Sequence, residues 1–377
     1  MTAAFIVAAR RTAVMPRHGA FARIEAAELA AAAIRALLAD SGLAAAEVDD
    51  AILGNALSGG GNPARLAALL AGLPQDCPAT TLDSQCCSGL DAVMQAAALV
   101  ESGAAGTVIA GGLESYSRSP IRMRRPKEPG EVPRAYERPP FTPWPDRDPE
   151  MIAAASALAR ELGIPRAVQE AFAVASHARA LAAPPRGTEI VSVAGRDRDG
   201  FTRRLTPGLC RRLPPLPGGD GTFGCTTATV AVEADAAAAV LVVSERRLSA
   251  LRAPGRPLRI LGGARRGGDP ERPALAPVAA ARTALARCAL AADALAVSEV
   301  MEAFAIQAIA CIDGIGLDPR GVNRGGGALA RGHPIGASGA VLAVRLWHEM
   351  QGEAAGARGL ATIAAAGGLG SALILEA

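Results

Sequence analysis

Two segments of this 377-residue chain carry residue types suited to nucleophilic chemistry, and an apolar helical pattern follows each of them. Residues 86–90 read Cys-Cys-Ser-Gly-Leu, and residues 332–339 read Gly-His-Pro-Ile-Gly-Ala-Ser-Gly. A cysteine that has a histidine as its base can form a covalent acyl intermediate, because the imidazole takes the thiol proton and the sulfur attacks a carbonyl carbon. The sequence therefore indicates acyl-transfer chemistry with Cys86 as the nucleophile and His333 as its base.

The surroundings of Cys86 and His333 favour them over the other cysteines and histidines. Cys86 precedes a predicted helix, and a thiol at a helix N-terminus is expected to favour the thiolate form. Residues 88–89 (Ser-Gly) are expected to cap that helix. His333 lies in the densest glycine cluster of a chain that has four histidines. His177 and His348 lie in predicted helices and are expected to be surface or packing residues.

The composition limits the class of protein. Half of the residues are apolar, and 39 basic residues nearly balance 36 acidic ones, which gives a net charge of +3. This balance gives no signal for binding nucleic acid or a membrane surface. No apolar run approaches the roughly 20 residues that span a bilayer. The seven cysteines show no metal-ligand spacing, so we expect reduced thiols, no metal and a cytoplasmic location.

Predicted strands and helices alternate in two regions, one before about residue 115 and one after about residue 232. Apolar strands that alternate with helices imply parallel sheets covered on both faces. The two regions also resemble each other, since Ser-Gly-Leu at 88–90 has its counterpart in Ser-Gly-Ala at 338–340. Such internal duplication predicts two sheets related by a pseudo-twofold axis, with equivalent helix N-termini close together. This geometry is the premise for pairing Cys86 with His333.

The stretch between these regions differs in composition. Residues 118–147 are rich in arginine and proline, and two amphipathic helical patterns follow. We interpret this stretch as an inserted domain whose loops act as a lid. Its arginines form a solvated face or, if they lie near the thiol, bind the phosphates of a carrier such as coenzyme A. The chain is accordingly divided into an N-terminal half (1–115 and 232–250), an inserted loop or lid domain (116–231) and a C-terminal half (251–377).

Over essentially its full length the chain resembles the thiolase superfamily. The resemblance rests on the motifs at 83–90, 111–115, 302–305, 322–323 and 332–339 and on a glycine-rich C-terminal turn. It implies an α/β thiolase fold of two pseudo-twofold-related βαβαβαββ halves, layered α-β-α-β-α, with an inserted loop domain. It also implies an acetyl-CoA acetyltransferase or 3-ketoacyl-CoA thiolase-like enzyme of fatty acid metabolism. Its substrates would be acyl-CoA and CoA, with no bound cofactor, and it would assemble as a homodimer or homotetramer.

The resemblance assigns roles to individual residues. Cys86 would be the acylated nucleophile, and His333 its activating base and an oxyanion donor. The backbone N–H groups of Cys86 and Ala366 would form a second oxyanion hole. Asn323 and Glu302 would lie behind these groups, and Asn323 is expected to hydrogen-bond within the glycine loop and orient a neighbour.

Three positions depart from the family pattern. The second active-site cysteine of the family, an acid/base, corresponds to Ala364. The Asn or His that opens the Glu-Ala-Phe motif is Met301, and the serine beside the pantetheine is Ala231. A positioned acid/base contributes about 10²–10⁴ in rate, so these losses affect the half-reaction that makes or breaks a carbon–carbon bond. Three hypotheses stay open: a thiolase-type acyltransferase, acyl transfer or thioester hydrolysis without carbon–carbon chemistry, and a catalytically weak subunit that binds acyl-CoA.

Overall fold

The computed structural model describes residues 2–183, 185–251 and 254–377. Within these ranges it has thirteen strands and ten α-helices. The strands are β1 (Ala4–Thr12), β2 (Met15–Pro16), β3 (Asp50–Gly54), β4 (Ala79–Leu82), β5 (Thr107–Ser115), β6 (Met123–Arg124), β7 (Arg134–Ala135), β8 (Ile190–Val191), β9 (Ala234–Ser244), β10 (Leu258–Gly267), β11 (Leu295–Val300), β12 (Arg358–Ala365) and β13 (Leu369–Glu376). The helices are α1 (Ala26–Ser41), α2 (Pro63–Ala71), α3 (Ser88–Ser102), α4 (Met151–Glu161), α5 (Arg166–Ala182), α6 (Pro207–Cys210), α7 (Ala276–Arg287), α8 (Ala305–Ile315), α9 (Ala328–Arg331) and α10 (Ile335–Met350).

Eleven of these strands form one sheet. Its order is β11-β12-β13-β10-β1-β9-β5-β3-β4, with β2 beside β9 and β8 beside β1. The strands β3, β4 and β5 are parallel, as are β11 and β12, but β9 and β13 are antiparallel to their neighbours. The sheet is therefore mixed, whereas the alternation of strands and helices predicted parallel strands. Because a tight turn joins β12 directly to β13, these two strands can pair only in the antiparallel sense.

The same strand order occurs twice within the sheet. The set β4-β3-β5-β9-β1 corresponds to β11-β12-β13-β10, and a single bridge between Ser298 and Val322 stands where a counterpart of β4 would lie. The two sets are joined through the residue pairs Phe5–Arg259 and Ile6–Leu258. The predicted α/β fold of two related halves is confirmed.

The helices α3 and α10 lie between the two sets of strands. Apolar residues of both helices share one buried cluster with residues of β5 and β9 and with residues of β11, β12 and β13. Helices α1 and α2 cover the outer face of the N-terminal strands, and α7 and α8 cover that of the C-terminal strands. These elements form the predicted α-β-α-β-α layers. Because both faces are covered, β5 and β9 are buried along their whole length.

The two central helices approach each other at a pair of glycines. A Cβ on Gly89 of α3 would lie 2.6 Å from the backbone nitrogen of Ala340. A Cβ on Gly339 of α10 would overlap the backbone of Leu90. Since neither glycine has a side chain, the two helix starts come into contact, and the segments that precede them meet.

Between β5 and β9 the chain forms α4, α5 and α6 and the short strands β6 to β8. Helix α4 packs against α8 in a cluster that includes Leu158 and Ile306, and β8 pairs with the end of β1. The domain limits at residues 115, 231 and 250 stay a prediction.

Among the described helices, none combines the length and the apolar character needed to cross a membrane.

Candidate active site

A cavity of about 400 Å³ lies where the two halves and the segment between β5 and β9 meet. Cys86 and His333 both line it. Apolar side chains form much of the wall, among them Phe141, Leu158 and Phe304. The structure therefore places both predicted chemical groups at the wall of one pocket, with apolar surface beside them to hold a ligand.

The thiol and the imidazole are in contact. Sγ of Cys86 lies 3.2 Å from Nε2 of His333. Nδ1 of His333 lies 2.6 Å from Oγ of Ser338, and the Ser338 hydroxyl donates to the carbonyl of Pro334 at 3.0 Å. Because the serine has only one proton and gives it to Pro334, Nδ1 carries the imidazole proton. Nε2 then presents a lone pair to the thiol, which is the tautomer that can accept its proton.

Cys86 lies in a tight 3₁₀ turn, Gln85–Cys87, between β4 and α3. Gln85 has φ of 58°, a left-handed conformation that costs energy in a residue with a side chain. The carboxylate of Asp83 accepts the backbone N–H of Gln85 at 2.9 Å. The Ser88 hydroxyl accepts a backbone N–H of the same segment and donates to the Gln85 carbonyl. The expected capping of α3 by residues 88–89 is therefore wrong, because this hydroxyl holds the turn that carries the thiol.

Burial controls the protonation of the pair. It raises the pKa of the Cys86 thiol, and the backbone N–H groups of Cys86 and Ala366, which act on the sulfur, lower that pKa by less. Burial also lowers the pKa of the His333 imidazole. Burial therefore opposes charge on both groups, whereas a helix N-terminus favours the thiolate. The thiolate form of Cys86 stays a prediction.

Backbone contacts with the N-terminal half hold His333. Its N–H donates to the carbonyl of Val232 at 2.7 Å. The preceding Gly332 has φ of 118°, a region that favours glycine. Just after the histidine, the N–H of Gly336 donates to the buried carboxylate of Glu114 at 2.9 Å. Both sides of the imidazole are thus anchored across the boundary between the halves.

A buried network supports the glycine loop that leads to His333. Glu302 is fully buried and accepts hydrogen bonds from Ser176 Oγ at 2.6 Å and from Asn323 Nδ2 at 2.7 Å. The side chain of Asn323 also bonds both backbone groups of Val300. The expected hydrogen bond of Asn323 within the glycine loop is made by its backbone carbonyl, which accepts the N–H of Gly326 at 2.8 Å, while its side chain reaches the end of β11. Asn323 and Glu302 lie at the base of the loop and do not line the cavity.

Two family models match this chain, thiolase N-terminal domain over residues 4–246 and thiolase C-terminal domain over residues 257–377. The chain belongs to the thiolase family. It is 39% identical over 391 residues to an acetyl-CoA acetyltransferase of Pseudomonas aeruginosa, with 98% of each chain covered. Acetyl-CoA acetyltransferases of Chromobacterium violaceum (39% identical, 98% of each chain) and Cupriavidus necator (38% identical, 100% of each chain) are similarly related. The predicted family and the predicted enzyme class, a thiolase-like acyltransferase, are confirmed.

The three departures from the thiolase pattern have different surroundings. Ala364 and Ala231 line the cavity, where each presents only a methyl group. Met301 is 1% exposed and packs in the core with α3 and α10. Ala366, the first residue after β12, also lines the cavity. The cavity wall near β12 is therefore built from methyl groups and backbone.

Three polar residues near Cys86 were not assigned a role from the sequence: Ser338, Glu114 and Tyr116. Ser338 fixes the tautomer of His333. Glu114 was visible as a charged residue inside an otherwise apolar strand, and such a residue is rarely buried without a partner. Its burial raises the pKa of the carboxyl group to about 7. Tyr116 directly follows β5 and lines the cavity. Among the described residues, no group of three or more His, Cys, Asp and Glu side chains is arranged to hold a metal ion.

Proposed function

We propose that this thiolase-family chain moves acyl groups from coenzyme A thioesters through a thioester on Cys86. The observation that carries the proposal is the 3.2 Å contact between Sγ of Cys86 and Nε2 of His333 at the cavity wall. His333 takes the thiol proton while the sulfur attacks the carbonyl carbon of the acyl group. The bond between that carbon and the coenzyme A sulfur breaks, and the proton on Nε2 passes to the departing thiolate.

The backbone N–H groups of Cys86 and Ala366 are proposed as oxyanion donors. Both residues line the cavity, and both N–H groups favour negative charge on the Cys86 sulfur, which supports a role for them beside the reacting carbonyl. Donors held in place stabilise the negative oxygen of the tetrahedral intermediate, and loss of one such donor typically costs about 10²–10³ in rate. Protonated His333 provides a further N–H at the same point.

The cavity supports a coenzyme A thioester as the acyl donor. Phe141, Leu158 and Phe304 provide an apolar wall for the chain that carries the thioester. Arg122 also lines the cavity, and a guanidinium group suits the phosphates of this carrier. The relatives named acetyl-CoA acetyltransferase support acetyl-CoA in particular. Coenzyme A acts here as a substrate, and the proposed reaction requires no bound cofactor.

The acceptor of the acyl group defines two candidate reactions. We propose transfer to or from carbon, as in an acetyl-CoA C-acyltransferase, as the first candidate, supported by the names of the relatives. Acyl transfer to sulfur or water without carbon–carbon chemistry is the second candidate. Ala364 and Met301 favour it, because neither provides the acid/base or polar group of the family pattern.

Intact-protein mass spectrometry after incubation with acetyl-CoA tests the proposal. We expect one acetyl adduct on the wild-type chain and none on Cys86→Ala. Cys288→Ala is the matched control, because Cys288 is a partly exposed free thiol that does not line the cavity, and it should keep the adduct. A wild-type chain without an adduct would contradict the proposal and favour a weak acyl-CoA-binding subunit.

Thiolysis of acetoacetyl-CoA then divides the two candidates. Loss of substrate absorbance that requires free coenzyme A supports carbon–carbon chemistry. An acetylated Cys86 that shows no thiolysis supports the second candidate.

We also propose that the chain forms a homodimer or homotetramer in the cytoplasm. Closed symmetric assemblies are the common state of enzymes, and all seven cysteines are free, which supports a reducing compartment. Light scattering on the purified chain measures the assembly, and a monomer would contradict that part of the proposal.

A further inference from the structure

The residue that follows β5 is directed towards the catalytic pair. Gly112 and Glu114 both meet the start of α10: a Cβ on Gly112 would overlap the backbone of Gly336, and Glu114 accepts the Gly336 N–H at 2.9 Å. Residues two apart on a strand share a face, so Tyr116 comes next on the face that meets this helix. Its side chain lines the cavity that holds the thiol and the imidazole.

The hydroxyl of Tyr116 is free to meet a ligand. Among the described residues, Tyr116 accepts a side-chain hydrogen bond through its backbone carbonyl, from the Ser119 hydroxyl, and its phenol has no protein partner. The other tyrosine of the chain, Tyr136, stacks under Arg124 at 5.0 Å on the β6–β7 ribbon and does not line the cavity. The two tyrosines therefore offer a matched pair, one inside the cavity and one outside it.

The surroundings of Tyr116 keep its phenol protonated. Burial raises the pKa of the phenol well above its ordinary value, and the negative charges of Glu233 and Glu114 raise it further, as a thiolate at Cys86 would, whereas Arg17 lowers it. A phenol with a raised pKa is a hydrogen-bond donor at neutral pH and not a base.

We propose that Tyr116 is a further catalytic residue, whose hydroxyl donates a hydrogen bond to the thioester oxygen of the enolate formed when a carbon–carbon bond is made or broken. This inference rests on the proposed function. Ala364 and Met301 lack the groups that the family pattern uses in that half-reaction. A neutral phenol in the same cavity supplies one hydrogen-bond donor to the thioester oxygen, which becomes negative as an enolate only in that half-reaction.

In the thiolysis direction, each bond that forms in this step is matched by one that breaks. His333 takes the proton of Cys86, and the sulfur attacks the 3-keto carbon of the substrate. The electron pair of the broken carbon–carbon bond passes to the departing coenzyme A thioester as an enolate. The enolate carbon then takes up the proton held by His333, while Tyr116 keeps its own proton throughout.

Tyr116→Phe tests the proposal by separating the two half-reactions. We expect this variant to form the acetyl adduct on Cys86 within about twofold of the wild-type rate and to lose about 10²–10³ in acetoacetyl-CoA thiolysis, the usual cost of one oxyanion donor. Tyr136→Phe should match the wild type in both assays. Equal losses in adduct formation and thiolysis would assign Tyr116 a structural role and overturn the proposal, as would full thiolysis by Tyr116→Phe.

A second measurement requires no turnover. In a Cys86→Ala background, the enolate of bound acetoacetyl-CoA is titrated by its near-ultraviolet absorbance, with and without Tyr116→Phe. A charge-assisted hydrogen bond should lower the apparent pKa of the bound ligand by about one unit, which is about tenfold in enolate population. Equal values, or no bound enolate in either protein, overturn the role of Tyr116. A wild-type chain that takes no acetyl group counts against the proposed function alone.

Discussion

The two sides of the Cys86 thiol differ in their chemistry. On the side of α10, Nε2 of His333 faces the sulfur, and Ser338 fixes which nitrogen carries the proton. On the side of β12, Ala364 lines the cavity with a methyl group, and Ala366 adds a backbone N–H that lowers the pKa of the thiol. The first side has a side chain that can take and return a proton. Neither residue named on the second side has one.

This difference predicts that a change on one side of the thiol alters one half-reaction without changing the fold. The proposed acylation of Cys86 uses the histidine and backbone N–H groups, and any residue supplies the latter. Alanine at position 364 leaves the hydrogen bonds of β12 in place, since β12 pairs with β11 and β13 through backbone atoms. We therefore expect a single side chain at the cavity wall to affect carbon–carbon chemistry and to leave acylation intact.

The largest expected effect comes from removing the base on the first side. His333→Ala should slow acetylation of Cys86 by about 10²–10⁴, the usual contribution of a positioned base. Rapid quenching followed by mass spectrometry measures this rate. His18→Ala is the control, because His18 is exposed and lies outside the cavity wall. Acetylation of His333→Ala at the wild-type rate would remove the imidazole from the mechanism.

Adding a thiol to the second side should reduce the difference between the sides. Ala364→Cys places an ionisable group at the cavity wall, and we expect acetoacetyl-CoA thiolysis to rise by about 10², the lower end for a positioned acid/base. Acetylation of Cys86 should stay within about twofold. Ala364→Ser is the control, because its hydroxyl is of similar size but a much weaker acid. An unchanged rate of thiolysis would mean that the missing thiol is not the defect.

A third variant tests the helix contact that brings the two sides together. Gly339→Ala adds a Cβ that overlaps the backbone of Leu90, and overpacking of this kind costs about 1–3 kcal/mol in free energy of unfolding. Urea unfolding followed by circular dichroism measures the change. Gly221→Ala, where a Cβ meets no atom within 4 Å, should change stability by less than about 0.5 kcal/mol. Equal stabilities for the two variants would argue against the close approach of α3 and α10.

The smallest effect is expected from the residue that orients the imidazole. Ser338→Ala removes one hydrogen bond from Nδ1 of His333, worth about 1 kcal/mol, so acetylation of Cys86 should slow about fivefold. The acetylation rate of Ser102→Ala, on the exposed end of α3, should be unchanged. A loss as large as that of His333→Ala would show that Ser338 does more than orient the ring.

Much of the fold follows from patterns along the chain. The repeated order of apolar strands and small-residue helices predicts the two halves and their layers, and the alanine-rich run near the N-terminus forms α1, Ala26–Ser41. Strand β10 was harder to predict. The sequence pattern marks residues 258–261, but the strand continues to Gly267 through glycines and arginines. Its pairing with β13 supplies the hydrogen bonds, and no local pattern contains that information.

The site follows from the sequence only in part. Residue type and glycine context are enough to single out Cys86 and His333. The left-handed Gln85 and the raised pKa of the thiol depend on how the chain folds back and how deeply the sulfur is buried. The motif places Asn323 behind the catalytic groups, but it does not specify that the side chain bonds Val300 and Glu302.

The middle layer of the molecule, formed by α3 and α10, is covered by strands on both sides. Both helices, α3 and α10, pack against strands of the two halves. The two halves therefore share one hydrophobic core at this layer. If the chain were cut between Ser244 and Leu258 and the two fragments separated, each fragment would expose an apolar face of its sheet to water. We therefore expect the two halves to unfold together as one cooperative unit.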